Sequence, residues 1–402
     1  MAPVAEIVNY SLVALMAGVA GAWLVLLRSM LESFRCTPYL DRFDAKAGRT
    51  PRVSIILPAR NEERFIAGCL DSLTNQDYEN YEIVAVDDSS EDATGRIIKE
   101  RAQEDGVVVH VSAGERPDGW TGKNWACVEG YRRATGDLLL FTDSDTMHAS
   151  NVVSLAVGHM ASLNLDALTV IPRIRALDFW TKITLPMIST FLHTKFSALN
   201  VNDPAKKTGY FFGSFFIIKR STYEGVGTHE GVRHEVIEDG ALGRKVKESG
   251  HKMRMVRGDH LIDAVWARDG QTLWNALKRL MVPLYLQSSP VAVGAFLAVL
   301  FLLFMPFPLL AYSLASLDGD VSAAVLAAVS AVAVLMVYAG SIAETVMGLH
   351  IRARYAILCP LGGLIIVAGF LSGLIQAGRD ASVSWRGRRY YIREHAQNPI
   401  NM

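Results

Sequence analysis

The sequence predicts an α/β fold: a mixed, mostly parallel sheet covered on both faces, flanked by membrane-spanning helices. Three observations carry that reading. From residue 51, short apolar runs alternate with amphipathic stretches, the pattern of strand–helix units in a parallel sheet. Two of those runs end in acidic clusters: Val86-Asp87-Asp88-Ser89-Ser90 after Tyr81–Ala85, and Asp143-Ser144-Asp145 after Leu138–Thr142. Four stretches, Ile7–Leu27, Leu280–Leu317, Val321–Ala343 and Tyr355–Gly378, carry no charge. Each is long enough to cross a hydrocarbon core of roughly 30 Å.

Taken in order, the first uncharged run is expected to be an uncleaved anchor and not a signal peptide. Nothing basic precedes it, and Arg28 and Arg35 follow it directly. That positive flank places the next domain in the cytosol. Strands are expected at Val53–Leu57, Glu82–Val86, Val107–Val111, Leu138–Thr142 and Ala167–Ile171. Helices are expected at Glu62–Thr74 and Asp92–Glu104, near 123–135 and 150–163, and over Phe179–Leu199, the last at the membrane surface or in the core. In 270–287, Trp274, Leu277, Leu280 and Met281 fall at helical spacing, while Lys278 and Arg279 could meet lipid phosphates. The run 280–317 is broken by Pro290, Pro306 and Pro308, so a re-entrant or hairpin form is open. The domains expected are an anchor (1–35), a cytosolic catalytic domain (36–270), a connector with C-terminal membrane helices (271–378) and a basic tail (379–402).

The 402 residues hold 40 basic and 40 acidic side chains, so no whole-chain charge favours nucleic acid as a partner. Cys36, Cys69, Cys127 and Cys359 are scattered, without metal-ligand spacing or a disulfide framework. No Gly-x-Gly-x-x-Gly opens the first strand–helix unit, which argues against a dehydrogenase. The uncharged segments hold few ionisable groups, which argues against a transporter.

Carboxylates at the carboxyl ends of parallel strands line the crevice where open α/β sheets bind ligands. Asp88 there could accept hydrogen bonds from a base or ribose, or simply cap the helix beginning near Asp92. Asp143 and Asp145 offer oxygen ligands to Mg²⁺ or Mn²⁺, which together with phosphate oxygens would neutralise a departing diphosphate. Gly119-Trp120-Thr121-Gly122-Lys123-Asn124 reads as a turn feeding a helix, where Lys123 could meet phosphate. Glu238-Asp239 begins a helix and could supply a general base, with capping the plain alternative. His229 or His234 could line an acceptor pocket, or serve packing alone.

With these residues assembled, the chain resembles a family 2 glycosyltransferase with the GT-A fold. The resemblance rests on Pro58-Ala59-Arg60-Asn61-Glu62, Val86–Thr94 and Asp143-Ser144-Asp145, in that order and spacing, and it spans about residues 51–260. It is most similar to the membrane-anchored branch containing hopene-associated and carotenoid glycosyltransferases. That similarity rests on Gly119–Ala126, Val201-Asn202-Asp203-Pro204, Gly227-Thr228-His229-Glu230 and Trp385–Tyr390. The resemblance implies Ala59 and Glu62 near a nucleotide, Asp88 in contact with it, Asp145 holding the metal with Asp143 assisting, and Asp239 as base of an inverting reaction. A processive synthase would carry Gln-x-x-Arg-Trp; the nearest match, Gln271-Thr272-Leu273-Trp274-Asn275, lacks the Arg-Trp pair. Gly213-Ser214 stands where many relatives have paired glycines or a Gly-Gln acceptor loop.

The expectation is therefore a multi-pass cell-membrane enzyme. It would move one sugar from a nucleotide sugar, UDP-linked, to the hydroxyl of a membrane lipid. A nucleotidyl- or phosphosugar transferase on a related fold, and a non-catalytic membrane scaffold, are the alternatives.

Overall fold

The uncharged run 7–27 lies inside one unbroken helix, α1 (Ala2–Cys36). The computed structural model describes residues 2–42, 50–317, 320–379, 382–385 and 388–391. They divide into two units, one holding Cys36–Arg175 and Phe196–Trp266, the other α1 up to Arg35, Ala176–Lys195 and the residues from Ala267 onward. The stretch 176–195, expected within the catalytic domain, thus folds with the membrane-type helices.

In the first unit come β1 (Val53–Ala59), α2 (Ile66–Thr74), β2 (Tyr81–Asp87), α3 (Thr94–Glu104) and β3 (Val108–Ser112). Then follow α4 (Gly122–Arg133), β4 (Leu138–Phe141), β5 (Thr146–His148), α5 (Val152–Leu163), β6 (Ala167–Ile171) and β7 (Arg173–Ile174). Every residue of β1 is buried, because it runs between β2 and β4, parallel to both. Alternate residues feed two cores. Ile55, Leu57, Ile83 and Leu140 enter one, and Ile56, Val84, Leu139 and Phe141 the other. Gly130 lets α4 lie directly on this second face; a Cβ there would stand 2.7 Å from Ile56 and 3.0 Å from Val86.

Two helices begin later than the sequence suggested. The loops at the ends of β1 and β2 use their polar groups on each other: Glu62 N–H donates to Thr94 Oγ1 (2.7 Å) and Glu63 N–H to Asp92 (3.1 Å). Asn61 and Ser89, both at φ 54°, make the left-handed turns this docking needs.

The chain passes through α6 (Phe179–Ser189), in the other unit, then returns with α7 (Ala198–Asn202), β8 (Phe216–Lys219), α8 (Arg220–Gly225), α9 (Glu238–Glu248), β9 (Met253–Arg257) and β10 (Ile262–Ala264). The large sheet has the order β3-β2-β1-β4-β8-β6-β9. β8 is inserted antiparallel between β4 and β6. A smaller sheet has the order β5-β10-β7. The inverted β8 matters for chemistry: it starts where β4 ends, with Phe141 opposite Phe216, so residues 212–215 lie beside the acidic cluster.

The second unit adds α10 (Gly270–Gln287), α11 (Ser289–Leu303), α12 (Pro306–Ala315), α13 (Val321–Ala343) and α14 (Cys359–Arg379) to α1 and α6. Three helical stretches, Val4–Cys36, Val321–Gly348 and Ala353–Arg379, are long and apolar enough to cross a membrane. The proline-broken run forms α11 and α12, bent by 54°, a fourth span if taken as one. Small residues allow close packing here. Cβ atoms added at Gly369 and Gly373 would stand 2.8 and 2.9 Å from Leu277 and Lys278 of α10. The segment 270–287 is therefore a packed partner of α14, more than a connector.

The expected helix Phe179–Leu199 breaks after Ser189, whose hydroxyl bonds back to Leu185 O (2.9 Å), and continues as a 3₁₀ turn, Thr190–His193. Of the basic tail, Ser382–Trp385 and Arg388–Tyr391 pair as an antiparallel ribbon. Arg386, Gly387, Lys46 and residues 318–319 lie outside the described residues.

Candidate active site

Four segments meet at the end of β4. Lys123, in the first turn of α4, reaches Asp143 Oδ1 at 2.7 Å and Glu238 Oε1 at 2.6 Å. Gly213, in the loop before β8, has no side chain because there is no room for one. A Cβ would stand 2.7 Å from Asp239 Oδ2, 3.0 Å from Lys123 Nζ and 3.1 Å from Asp143 Oδ2. The structure thus brings Lys123, Asp143, Gly213, Glu238 and Asp239 into one cluster.

Specific hydrogen bonds and close packing hold each element in place. Thr121 caps α4 by accepting from Asn124 N–H (3.4 Å), and its own N–H donates to Arg233 O (2.9 Å). The fully buried Asn124 side chain donates to Val232 O (2.8 Å) and Glu235 O (3.2 Å), tying the segment before α9 to α4. On its other side α9 presses through Gly243 onto Tyr210 and Phe211, where a Cβ would stand 2.7 Å from Phe211 N. Thr142 Oγ1 donates to Ser214 O (2.7 Å), fixing the Gly213 loop against β4. Glu238 and Asp239 lie in the first turn of α9, where their charge suits the helix dipole. Asp239 accepts from Gly240 N–H (2.7 Å).

The electrostatics follow from this crowding. Burial raises the Asp239 carboxyl, Glu238 and Asp143 raise it further, and Lys123 offsets part, leaving it at about 7. Burial works against the Lys123 ammonium, but Asp143, Glu238 and Asp239 outweigh it and hold the group well above its ordinary value. Lys123 is thus a firm cation beside a carboxyl poised to exchange a proton near neutrality.

Along the same sheet edge, Asp88 follows β2 and donates its N–H to Ala59 O (2.9 Å), at the end of β1. Arg60 braces this corner through Asp88 O (2.6 Å) and the Glu91 carboxylate (2.9 Å). Just before α3, Asp92 accepts from Thr94 N–H (2.9 Å). Asp145, Asp143 and Glu62 all act on the buried Cys69 thiol. Burial pushes that thiol up first, and the three carboxylates add to it. This groups Glu62 with the Asp143–Asp145 pair.

His229 stands apart from its expected place at an acceptor pocket. It is 1 % exposed, shares a 2.7 Å hydrogen bond with Tyr223 OH and packs on Phe141. Burial, with Lys123 adding, lowers it to about 3, so it is a neutral core side chain. His234 is exposed. Three functional neighbours escaped the sequence: Cys69, Asn124 and Tyr210. Asn124 stood inside the turn read from the sequence, but nothing there marked its side chain as the tie to Val232 O and Glu235 O.

No three or more His, Cys, Asp or Glu side chains among the described residues form a metal-holding group. Asp143 and Asp145 fit a hard divalent ion shared with substrate, since Mg²⁺ commonly takes one or two carboxylates and completes its shell with phosphates and water.

The family model described as "Glycosyl transferase family 2" matches residues 54–227. A 4,4'-diaponeurosporenoate glycosyltransferase of Staphylococcus haemolyticus is 36% identical over 27% of this chain and 28% of its own length. One of the same description from Staphylococcus aureus is 23% identical over 85% of this chain and 88% of its own. The first of these matches thus spans under a third of that relative, and the longer one is the more distant. Among solved structures, the mannosyltransferase PcManGT from Pyrobaculum calidifontis, in complex with GDP-Man and Mn2+, superposes with a TM-score of 0.51. It is 20% identical over 82% of this chain and 97% of that one, a likeness of fold.

Proposed function

We propose that this chain moves one sugar from a nucleotide diphosphate sugar to a hydroxyl of a membrane lipid, inverting the anomeric centre, a reading supported by the match of residues 54–227 to the family 2 glycosyl transferase model. The observation that carries the proposal is the convergence of Asp143, Lys123, Glu238 and Asp239 around Gly213. The reaction needs a cation where a diphosphate departs and a base where a hydroxyl attacks, a few ångströms apart. This cluster would supply both.

Ala59, Glu62 and Asp88, at the ends of β1 and β2, would hold the nucleotide. Lys123 would carry the charge of the leaving diphosphate, releasing part of its hold on Asp143 and Glu238 as it does so. Asp239 would take the proton from the acceptor hydroxyl, a role suited to a carboxyl near 7. The bare Gly213 would leave the acceptor oxygen room to approach. Asp145 and Asp143 would hold Mg²⁺ or Mn²⁺, which when bound would add further positive charge at the diphosphate.

A lipid acceptor is supported by the helices long and apolar enough to cross a membrane. A water-soluble donor and an apolar acceptor explain why one chain carries both kinds of unit. Arg28 and Arg35, near the C-terminal end of α1, support a cytosolic side for the sheet unit. Single transfer is favoured over polymer synthesis because Gln271–Asn275 lacks the Arg-Trp pair. The donor is taken as UDP-linked.

The test incubates the purified protein in lipid with candidate nucleotide sugars and follows both nucleotide release and lipid mass. Wild type should release UDP and add one hexose mass to the lipid. Asp239→Asn should lose most turnover while donor binding stays near wild type. Full turnover in that variant overturns the base assignment; pyrophosphate as product overturns sugar transfer itself.

A further inference from the structure

Three cations of the membrane-type unit converge on one tyrosine. Lys182 of α6 lies 5.7 Å from the centre of the Tyr355 ring, and the Arg354 guanidinium 5.2 Å from it. Arg352 is close enough to act electrostatically on the Tyr355 hydroxyl. Phe179 meets the ring edge-on at 6.3 Å. Arg352 and Arg354 are exposed, and none of the three cations has an ion-pair partner among the described residues. The carboxylate near Lys182 in sequence, Asp178, is engaged in capping α6 through Trp180 N–H, Thr181 N–H and the Thr181 hydroxyl.

Like charges gathered without a counterion repel one another, so an arrangement of this kind is favoured by an anion from outside. The rim says which kind. Beside the cations, Phe179 (43 %), Trp180 (47 %), Ile357 (66 %) and Leu358 (36 %) are left exposed. A free phosphate would have no use for that apolar edge. A lipid brings a phosphate and acyl chains together, and aromatic residues with Arg and Lys are what the headgroup level of a bilayer selects.

The position is also fixed. Glu344, 2 % exposed in the turn that ends α13, accepts from Ser189 Oγ (2.8 Å) and shares a 2.9 Å contact with His193 Nε2. That holds the α6 segment at the level where α13 stops and α14 begins. Short basic connections of this kind lie on the cytosolic side, where anionic lipids are concentrated.

We propose that Lys182, Arg352 and Arg354, arranged around Tyr355, form a binding site for the phosphate headgroup of an anionic membrane lipid, with Phe179, Trp180, Ile357 and Leu358 against its acyl chains. The inference rests on the membrane reading above but not on the sugar-transfer chemistry, so it can be tested in the inactive Asp239→Asn protein. That full-length protein would be placed in nanodiscs of phosphatidylcholine, with or without phosphatidylglycerol, released, and weighed by native mass spectrometry.

Retention of phosphatidylglycerol over phosphatidylcholine is expected, and Lys182→Gln/Arg352→Gln/Arg354→Gln should reduce it at least about fivefold. The charge-keeping Arg352→Lys/Arg354→Lys protein should hold most of it, which separates lost charge from misfolding. Inorganic phosphate should not compete at moderate concentration. Equal retention by the triple variant overturns the proposal. Displacement by free phosphate overturns the choice of a lipid.

Discussion

Replacing Lys123 with Met removes a cation that Asp143, Glu238 and Asp239 share, while keeping a similar stem in the same packing. Its contacts are 2.7 Å to Asp143 and 2.6 Å to Glu238, with the Lys123 side chain 19% exposed and that of Glu238 7%. Breaking a pair this dry leaves a charge without compensation, at a cost of about 3 kcal/mol, toward the lower end of the range for fully buried pairs. If the same charge stabilises the departing diphosphate, kcat/KM falls by about two orders of magnitude.

A second effect has a definite sign. Lys123 is the charged group that lowers the Asp239 carboxyl, beside the Gly240 N–H, and with its help that carboxyl stands at about 7. Without Lys123 that carboxyl rises further, so less of the base is ionised at neutral pH. The acid limb of the kcat/KM profile therefore moves to higher pH, and activity recovers partly in alkali. The assay is nucleotide release in detergent or nanodiscs across the pH range, with donor affinity measured separately. A variant within about threefold of wild type, with an unmoved acid limb, would refute the role given to this lysine.

Three other changes test separate parts of the site. Gly213→Ala puts a methyl carbon 2.7 Å from Asp239 Oδ2; kcat/KM should drop about 10- to 100-fold while stability falls by about 1–3 kcal/mol and the protein stays folded, as measured by steady-state kinetics beside a melting scan. Asp145→Ala should abolish the Mn²⁺-dependent part of donor affinity in a calorimetric titration, and equal affinity with and without the ion in both proteins would remove the metal role. Asp239→Asn should melt higher than wild type in alkaline buffer and alike in strong acid. The folded protein holds that proton more tightly than the ordinary value of 3.8. Its contribution to stability is therefore complete below the unfolded pKa and lost as pH rises through about 7.

Much of the sheet was readable because burial on both faces forces unbroken apolar runs. Val53–Leu57, Leu138–Thr142 and Ala167–Ile171 each became strands with ends shifted by two residues or fewer. Helix starts were less readable where polar side chains serve another loop. Glu62 and Glu63 look like a helical first turn, yet their N–H groups are bonded to Thr94 and Asp92. The direction of β8 was not readable at all. Phe216–Lys219 has the composition of a buried strand, but composition carries no sign, and only pairing with β4 and β6 shows it to be antiparallel.

That inversion explains why the residues of the cluster were legible and their assembly was not. Asp143, Lys123 and the Glu238-Asp239 pair stood out singly, each with a capping or solvated alternative that residue type could not remove. A parallel β8 would have carried Gly213 to the opposite edge of the sheet, and the four segments would share nothing. Because β8 runs backwards, its leading loop arrives at the carboxyl end of β4, where Thr142 holds it by Ser214 O. Asn124 then draws the α9 segment onto α4 from the other side. The three contacts that make the cluster come from residues with no chemical role of their own, which is why searching for reactive side chains alone does not find them. It also follows that Asn124→Ala should impair turnover by loosening Glu238 and Asp239 relative to Lys123, without removing any group that would touch substrate.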